Sequence, residues 1–233
     1  MPTTATSVLD STGIYATYLV AIKFNEYCMG GYPVRADLVR AWIKAKTGFD
    51  DSITDQQVAE ATSVLPEAEA KEKLDGCWTT FPKDEVGIFL EDRQLKAGYR
   101  TAMSLLGYNV KHMGAKQITQ HGTIFRGLHH PTKRSRIHFE RDGVVLTKPD
   151  ETIERPIHVQ TAMGSRDALK RVDCVYQAEL QFELQIFRTG AKEKRHVPLE
   201  EVKRAFAVMQ NDGLGADRSQ EFGKFTVTMF EEV

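Results

Sequence analysis

Between residues 178 and 186 the chain alternates without a fault. Ala178, Leu180, Phe182, Leu184 and Ile186 are apolar, and Glu179, Gln181, Glu183 and Gln185 lie between them. Successive side chains on a strand point to opposite faces, so this is a half-buried strand with a polar outer face. Its apolar face needs a covering layer, and segments of helical period are at hand. Leu95, Tyr99, Ala102 and Leu106 predict an amphipathic helix over 93–106, stopped by Gly107. Leu199, Val202, Ala205, Phe206 and Met209 predict another beginning at Pro198, with Glu200 and Glu201 in the first turn to suit the helix dipole and Asp212-Gly213 to end it.

The remaining elements are shorter. Residues 14–24 read as a first strand, rich in β-branched and aromatic side chains, ending in a Gly30-Gly31-Tyr32-Pro33 turn. Helices are expected over 36–46 and from Thr54 to about Leu65, with a weak acidic helix or loop over 66–75. Short strands and turns fill 114–148, a strand covers Ile157 to Thr161, and 162–170 reads as a short helix or a loop over the sheet. Phe225, Val227 and Met229 mark a last strand over 224–230. The order is that of an α+β chain: a ferredoxin-like (RRM-like) β-α-β-β-α-β core from 1–48 and 150–233, with a large mixed α/β insertion at 49–149. One helix layer on such a sheet leaves the other face free, an arrangement that RNA-recognition modules use.

With 233 residues the chain buries enough apolar surface to need neither disulfide nor metal. Its three cysteines, Cys28, Cys77 and Cys174, are odd in number and far apart, so free thiols and a cytoplasmic setting are expected. The N-terminus does not read as a signal peptide, and no apolar run approaches a membrane span. Net charge is −1, yet its distribution is lopsided. Residues 50–92 hold twelve acids and three lysines, whereas 111–171 hold twelve Lys/Arg, six acids and six of the seven histidines. Local potential steers partners more than the total does.

The segment joining the last helix to the last strand holds Gly213, Leu214, Gly215, Arg218, Ser219, Phe222, Gly223 and Phe225. Its three glycines permit positive φ and close backbone approach, and Arg218 with Ser219 offers a charged fork and a hydroxyl suited to phosphate. The plainer reading stays open: Gly213 and Gly215 end the helix and Gly223 marks a bulge. The segment resembles the C-terminal glycine-rich loop of the RAMP superfamily, ferredoxin-like proteins of CRISPR ribonucleoprotein complexes. There the pattern is roughly G-φ-G-x-x-x-S-x-G-φ-G-x-φ. The chain departs from it at Glu221, where the family carries glycine and where a carboxylate repels phosphate. The resemblance is specific over 198–230, and the middle of the chain is similar to backbone-type members and their phage-encoded relatives. It implies RNA binding, head-to-tail assembly along a guide RNA and a role in antiviral defence, with homo- or hetero-oligomeric subunits as partners.

Beside that loop, two basic groups suit phosphate: Lys133, Arg134 and Arg136, and then Arg166, Lys170 and Arg171. Phe125 and Phe139 are stacking candidates, although core packing is the commoner fate of a phenylalanine. No residue is assigned to catalysis; a metal-free endoribonuclease of the same superfamily would use His129 or His130. No cofactor and no metal site are expected. His112 and His121 lack a third ligand at suitable spacing, and Asp84, Glu85, Glu91 and Asp92 read as a solvated acidic face. A third reading is a phage-related assembly protein whose acidic 50–92 stretch docks the basic 111–171 stretch of a neighbour.

Overall fold

A computed structural model of the chain describes residues 15–33, 77–108, 123–161, 164–187 and 198–233. The helices expected over 36–46 and 54–65, the acidic stretch 66–75, His112 and His121 lie outside the described residues. What is described is a mixed α+β architecture with two sheets and two helices.

The larger sheet is built around β11 (Glu179–Phe187), the strand of faultless alternation. On one side β11 pairs antiparallel with β1 (Tyr15–Phe24), which pairs antiparallel with β12 (Phe225–Glu232). On its other side β6 (Thr123–Gly127) and β7 (Arg136–Arg141) follow one another along the same edge, β6 against Phe182–Ile186 and β7 against Glu179–Leu180. β5 (Phe89–Glu91) and β8 (Val144–Val145) add to β7. Helices α1 (Asp92–Leu105) and α2 (Leu199–Asp212) pack against each other on the apolar face. A capping box holds the start of α1, with Glu91 and Gln94 satisfying each other's backbone donors.

The core between helices and sheet is aromatic. Tyr99 from α1, Phe125 from β6 and Phe182 from β11 surround Phe206 of α2, with ring centroids 5.7–6.4 Å apart. Phe125 and Phe139, weighed above as base-stacking residues, are buried and belong to this core.

The smaller sheet runs β2 (Tyr27–Met29), β10 (Gly164–Tyr176), β4 (Cys77–Thr80), β3 (Tyr32–Pro33), with β9 (Glu151–Thr161) also paired to β10. β4 runs parallel to β10, and the other pairings are antiparallel. The 162–170 stretch is therefore strand from Gly164 onward, not helix or loop: every residue of β10 through Cys174 faces one of β9. Arg166, Asp167, Lys170, Arg171 and Asp173 break the apolar alternation that would have announced it, so pairing rather than local propensity decides. Met29, Val172 and Cys174 form a second small core with Tyr27, Ile153, Ala216 and Phe222. Residues 77–141, within the stretch assigned from sequence to an insertion, supply α1, β5, β6 and β7 to the main sheet and its helix layer. Among the described residues no helix is long and apolar enough to cross a membrane.

Candidate functional site

The polar face of the main sheet carries the chemistry. Ile137 and Phe139 of β7 point into the core, so His138 and Glu140 point to the opposite side. Both are nonetheless buried, because the loop 128–135 between β6 and β7 folds back over them. The tight turn 82–88 closes the other flank.

Asp84 anchors this layer. Its Oδ1 accepts hydrogen bonds from the Val86 and Gly87 backbone at 2.9 and 3.1 Å and from His138 Nε2 at 2.9 Å. Its Oδ2 accepts from Arg136 Nη1 at 3.1 Å, while the guanidinium also lies 4.9 Å from the Phe89 ring centre. Burial alone would raise the Asp84 carboxyl, but the hydrogen bonds from His138, Gly87, Val86 and Arg136 outweigh it and hold it at about 2. Asp84 is thus a buried, saturated acceptor and not part of a solvated acidic face. Arg136, expected to meet phosphate, is committed to it.

The three histidines stand in a row. His130 and His138 stack at 6.5 Å with 16° between their planes, and His129 meets His138 edge-on at 6.1 Å. His130 Nδ1 accepts from the backbone N–H of Lys133 at 2.9 Å and of Thr132 at 3.2 Å, so the ring proton sits on Nε2 and points to Glu85 Oε1 at 2.9 Å. Both nitrogens of His130 are consumed, and the ring is buried. His129 keeps about a quarter of its side chain exposed, with Nε2 3.3 Å from Glu140 Oε2. Burial lowers His138 against the smaller pull of Asp84, and burial raises Glu140. His129 Nε2, His138 Nδ1 and Glu140 Oε1 are buried without a hydrogen-bond partner among the described residues, so the His129–Glu140 contact is an ion-pair distance only.

Asp84, Glu85 and His130 bring three ligand-type atoms within 4.8 Å of one another. The donor set does not suit a metal. A coordinating imidazole donates its second N–H outward and offers a bare nitrogen to the ion. Here the tautomer is the reverse, with the bare nitrogen turned to two backbone donors and the N–H turned to the carboxylate. Both Asp84 oxygens are occupied as well.

The glycine-rich segment is used differently from its sequence promise. Gly213, Gly215 and Gly223 all adopt positive φ, with the short 3-10 turn Arg218–Gln220 between them. A Cβ on Gly223 would sit 1.8 Å from the Leu214 carbonyl oxygen, and one on Gly215 would sit 2.7 Å from that of Met29. The Ala216 N–H donates to the Met29 carbonyl and the Gly223 N–H to that of Tyr27, at 3.0 and 2.8 Å. The close backbone approach is therefore to β2 and to the loop itself.

The basic residues named from sequence are not gathered in one place, and most face carboxylates. Arg134 pairs with Glu183, Arg171 with Glu154 beside the Trp78 ring, and Arg218 with Asp212. Lys170 is more enclosed, its Nζ 2.9 Å from both oxygens of Asp217. Lys133 is exposed at the tip of the histidine loop. The side chains of Arg166 and Ser219 lie outside the described ones. Sequence reasoning missed His138, Glu140 and Asp173. Asp173 is a buried carboxylate held by Trp78 Nε1, Thr80 Oγ1 and Thr152 Oγ1 at 3.0, 2.5 and 2.6 Å. Only the acid within the apolar run Val172 to Val175 could have signalled it. Cys28 and Cys174 are free and buried; burial raises both thiols, that of Cys174 to about 12, so neither is poised to react. The sequence matches no protein-family model and no curated protein.

Proposed function

We propose that this chain is a RAMP-like nucleic-acid-binding subunit, non-catalytic and acting on RNA, within an oligomeric or ribonucleoprotein complex of the CRISPR type. On the same reading its core is a ferredoxin-like unit. Support for that unit comes from the chain order β1, α1, β6, β11, α2, β12, with the strands arranged β12-β1-β11-β6, every neighbour antiparallel and both helices on one face. The elements between β1 and α1 and between β6 and β11 are then the elaborations.

The observation that carries the functional half is the glycine-rich connection from α2 to β12, whose sequence resembles the RAMP pattern apart from Glu221. Its glycines serve internal packing, so phosphate contact falls to exposed cations: Lys133, Arg134, Arg171 and Arg218. Exposed ion pairs are worth only about 0–1 kcal/mol, so a phosphate can replace a carboxylate at little cost. Lys170 and Arg136 are too enclosed for such exchange.

The test is the 260/280 absorbance ratio and size-exclusion volume of the purified protein before and after RNase. A large RNA-bearing species that shrinks on digestion is expected. A clean protein of unchanged size sinks tight RNA binding, and salt-sensitive self-association without nucleic acid would favour the assembly reading. One observation favours the nuclease reading over pure binding: His129 is part exposed with the buried Glu140 behind it, an arrangement able to orient a general base. RNA cleavage that persists in EDTA and is lost in His129→Ala would establish it.

A further inference from the structure

We propose that the loop 128–135 is a proton-operated latch: one proton taken up at the buried histidine stack releases this loop, with Lys133 and Arg134, from the polar face of the main sheet.

The closed form has no place for that proton. The only free nitrogen of His138 is Nδ1, buried without an acceptor among the described residues. The cation formed there would lie stacked against His130, edge-on to His129 and next to Arg136. A proton on His130 Nδ1 would instead point at two backbone N–H donors and break the turn that they hold. Either route is relieved the same way, by lifting His129 and His130 so that water reaches the rings.

The surrounding charges fix the direction. From the turn 82–88, Asp84 favours a charged His138, and from the loop His129 and His130 oppose it; Glu85 lies beyond His130, with Lys133 close to it. On β7 itself Arg136 opposes it, and Glu140 stands two residues away, opposite Glu179 of β11. β5 places Phe89 across from His138 and Glu91 across from Arg136. Asp84 stays ionised throughout the range where histidine titrates, so it is an anchor and not the switch. Glu140, raised by burial, binds its proton more tightly in the closed form, so it works against opening at low pH and cannot be the switch. The closed loop therefore disfavours protonated His138, and opening grows as the pH falls below about 6.5, by up to about tenfold per unit for one group.

Hydrogen exchange at the Thr132 and Lys133 amides, corrected for intrinsic rate, tests the latch at pH 7.5 and 5.0. Their protection is expected to fall tenfold or more at pH 5.0 while the amides of residues 180–186 keep theirs. His138→Gln and His138→Phe remove the buried ring that titrates and are expected to shrink the difference. Unchanged protection of the two amides overturns the latch. So does a parallel loss in β11, which would be ordinary acid unfolding, or an undiminished response in a folded His138 variant. Nitrogen-edited NMR of the wild-type histidine rings needs no variant. An Nε2–H tautomer of His130 at pH 7.5 supports the latch, and an Nδ1–H tautomer or a charged His130 or His138 at that pH overturns it.

Discussion

The glycine-rich loop from α2 to β12 and the histidine loop from β6 to β7 make an instructive pair. In sequence the first has the stronger signature, with three glycines, an arginine and a serine in a family-like pattern. The second shows two adjacent histidines among cations. In the fold their roles differ from that ranking. The glycines are spent on backbone contacts with β2 and with the loop itself, and Arg218 leans on Asp212. The histidines gather three carboxylates, an arginine and three buried atoms without a hydrogen-bond partner among the described residues around one strand. One loop is fixed by sterics, which do not respond to pH; the other is fixed by protons, which do. A glycine or a charge acquires meaning from what it touches.

That contrast is sharpest at Gly223. An added Cβ there meets the Leu214 carbonyl oxygen at 1.8 Å, in a backbone with φ of +75°. Nothing flexible can yield, so Gly223→Ala is expected to destabilise the protein by about 3 kcal/mol, equally at pH 5 and pH 8. Urea midpoints at the two pH values check it. Gly143 supplies the control, since it shares a φ of +75° with nothing within 4 Å of an added Cβ. Gly143→Ala should cost about 1 kcal/mol, the backbone term without the clash.

On the histidine side the largest single loss belongs to Asp84. Removing it strands Arg136, the His138 N–H and two backbone donors at once, so Asp84→Ala is expected to cost about 2–3 kcal/mol in the urea midpoint at pH 7.5. Its carboxyl is held below the unfolded value, so its contribution is present above about pH 4 and lost as the pH falls toward 2. His138, also depressed on folding, adds stability above about pH 6.5 that is lost as the pH falls below it. Glu140 runs the other way: raised on folding, it stabilises below about pH 4.5 and loses that contribution as the pH rises through its folded value. Stability of the wild type against pH should therefore bend near 6.5, and His138→Gln should flatten that bend by a smaller amount than Asp84→Ala lowers the whole curve.

How legible these regions were in the sequence follows from the range of the interactions. The alternation of β11, the apolar stripes of α1 and α2 and the strands β1 and β12 are periodic over a few turns or pairs, and each stands within one or two residues of its expected place. β10 was not legible, and 162–170 read as helix or loop, because its partner β9 supplies the pairing and its charged residues hide the period. The histidine network was invisible for a different reason. Asp84 and His138 are 54 residues apart and Glu85 and His130 are 45 apart, so no local pattern joins them. Only the strand β5 pairing with β7, set by the fold, brings the turn 82–88 beneath the loop.

Arg218 separates the steric and functional accounts of the glycine-rich loop with the smallest effect. Its ion pair with Asp212 is exposed on both sides, so Arg218→Ala should move the urea midpoint by no more than about 0.5 kcal/mol. If the loop also grips RNA, the same variant weakens binding and reduces the slope of log affinity against log salt by roughly 0.7, one phosphate contact on a single strand. Stability and salt slope both unchanged would leave the glycine-rich loop a packing device between α2 and β12, with any RNA held by Lys133, Arg134 and Arg171. A changed slope with unchanged stability would put phosphate on a loop whose glycines are already committed elsewhere, and would assign recognition there to the side chain alone.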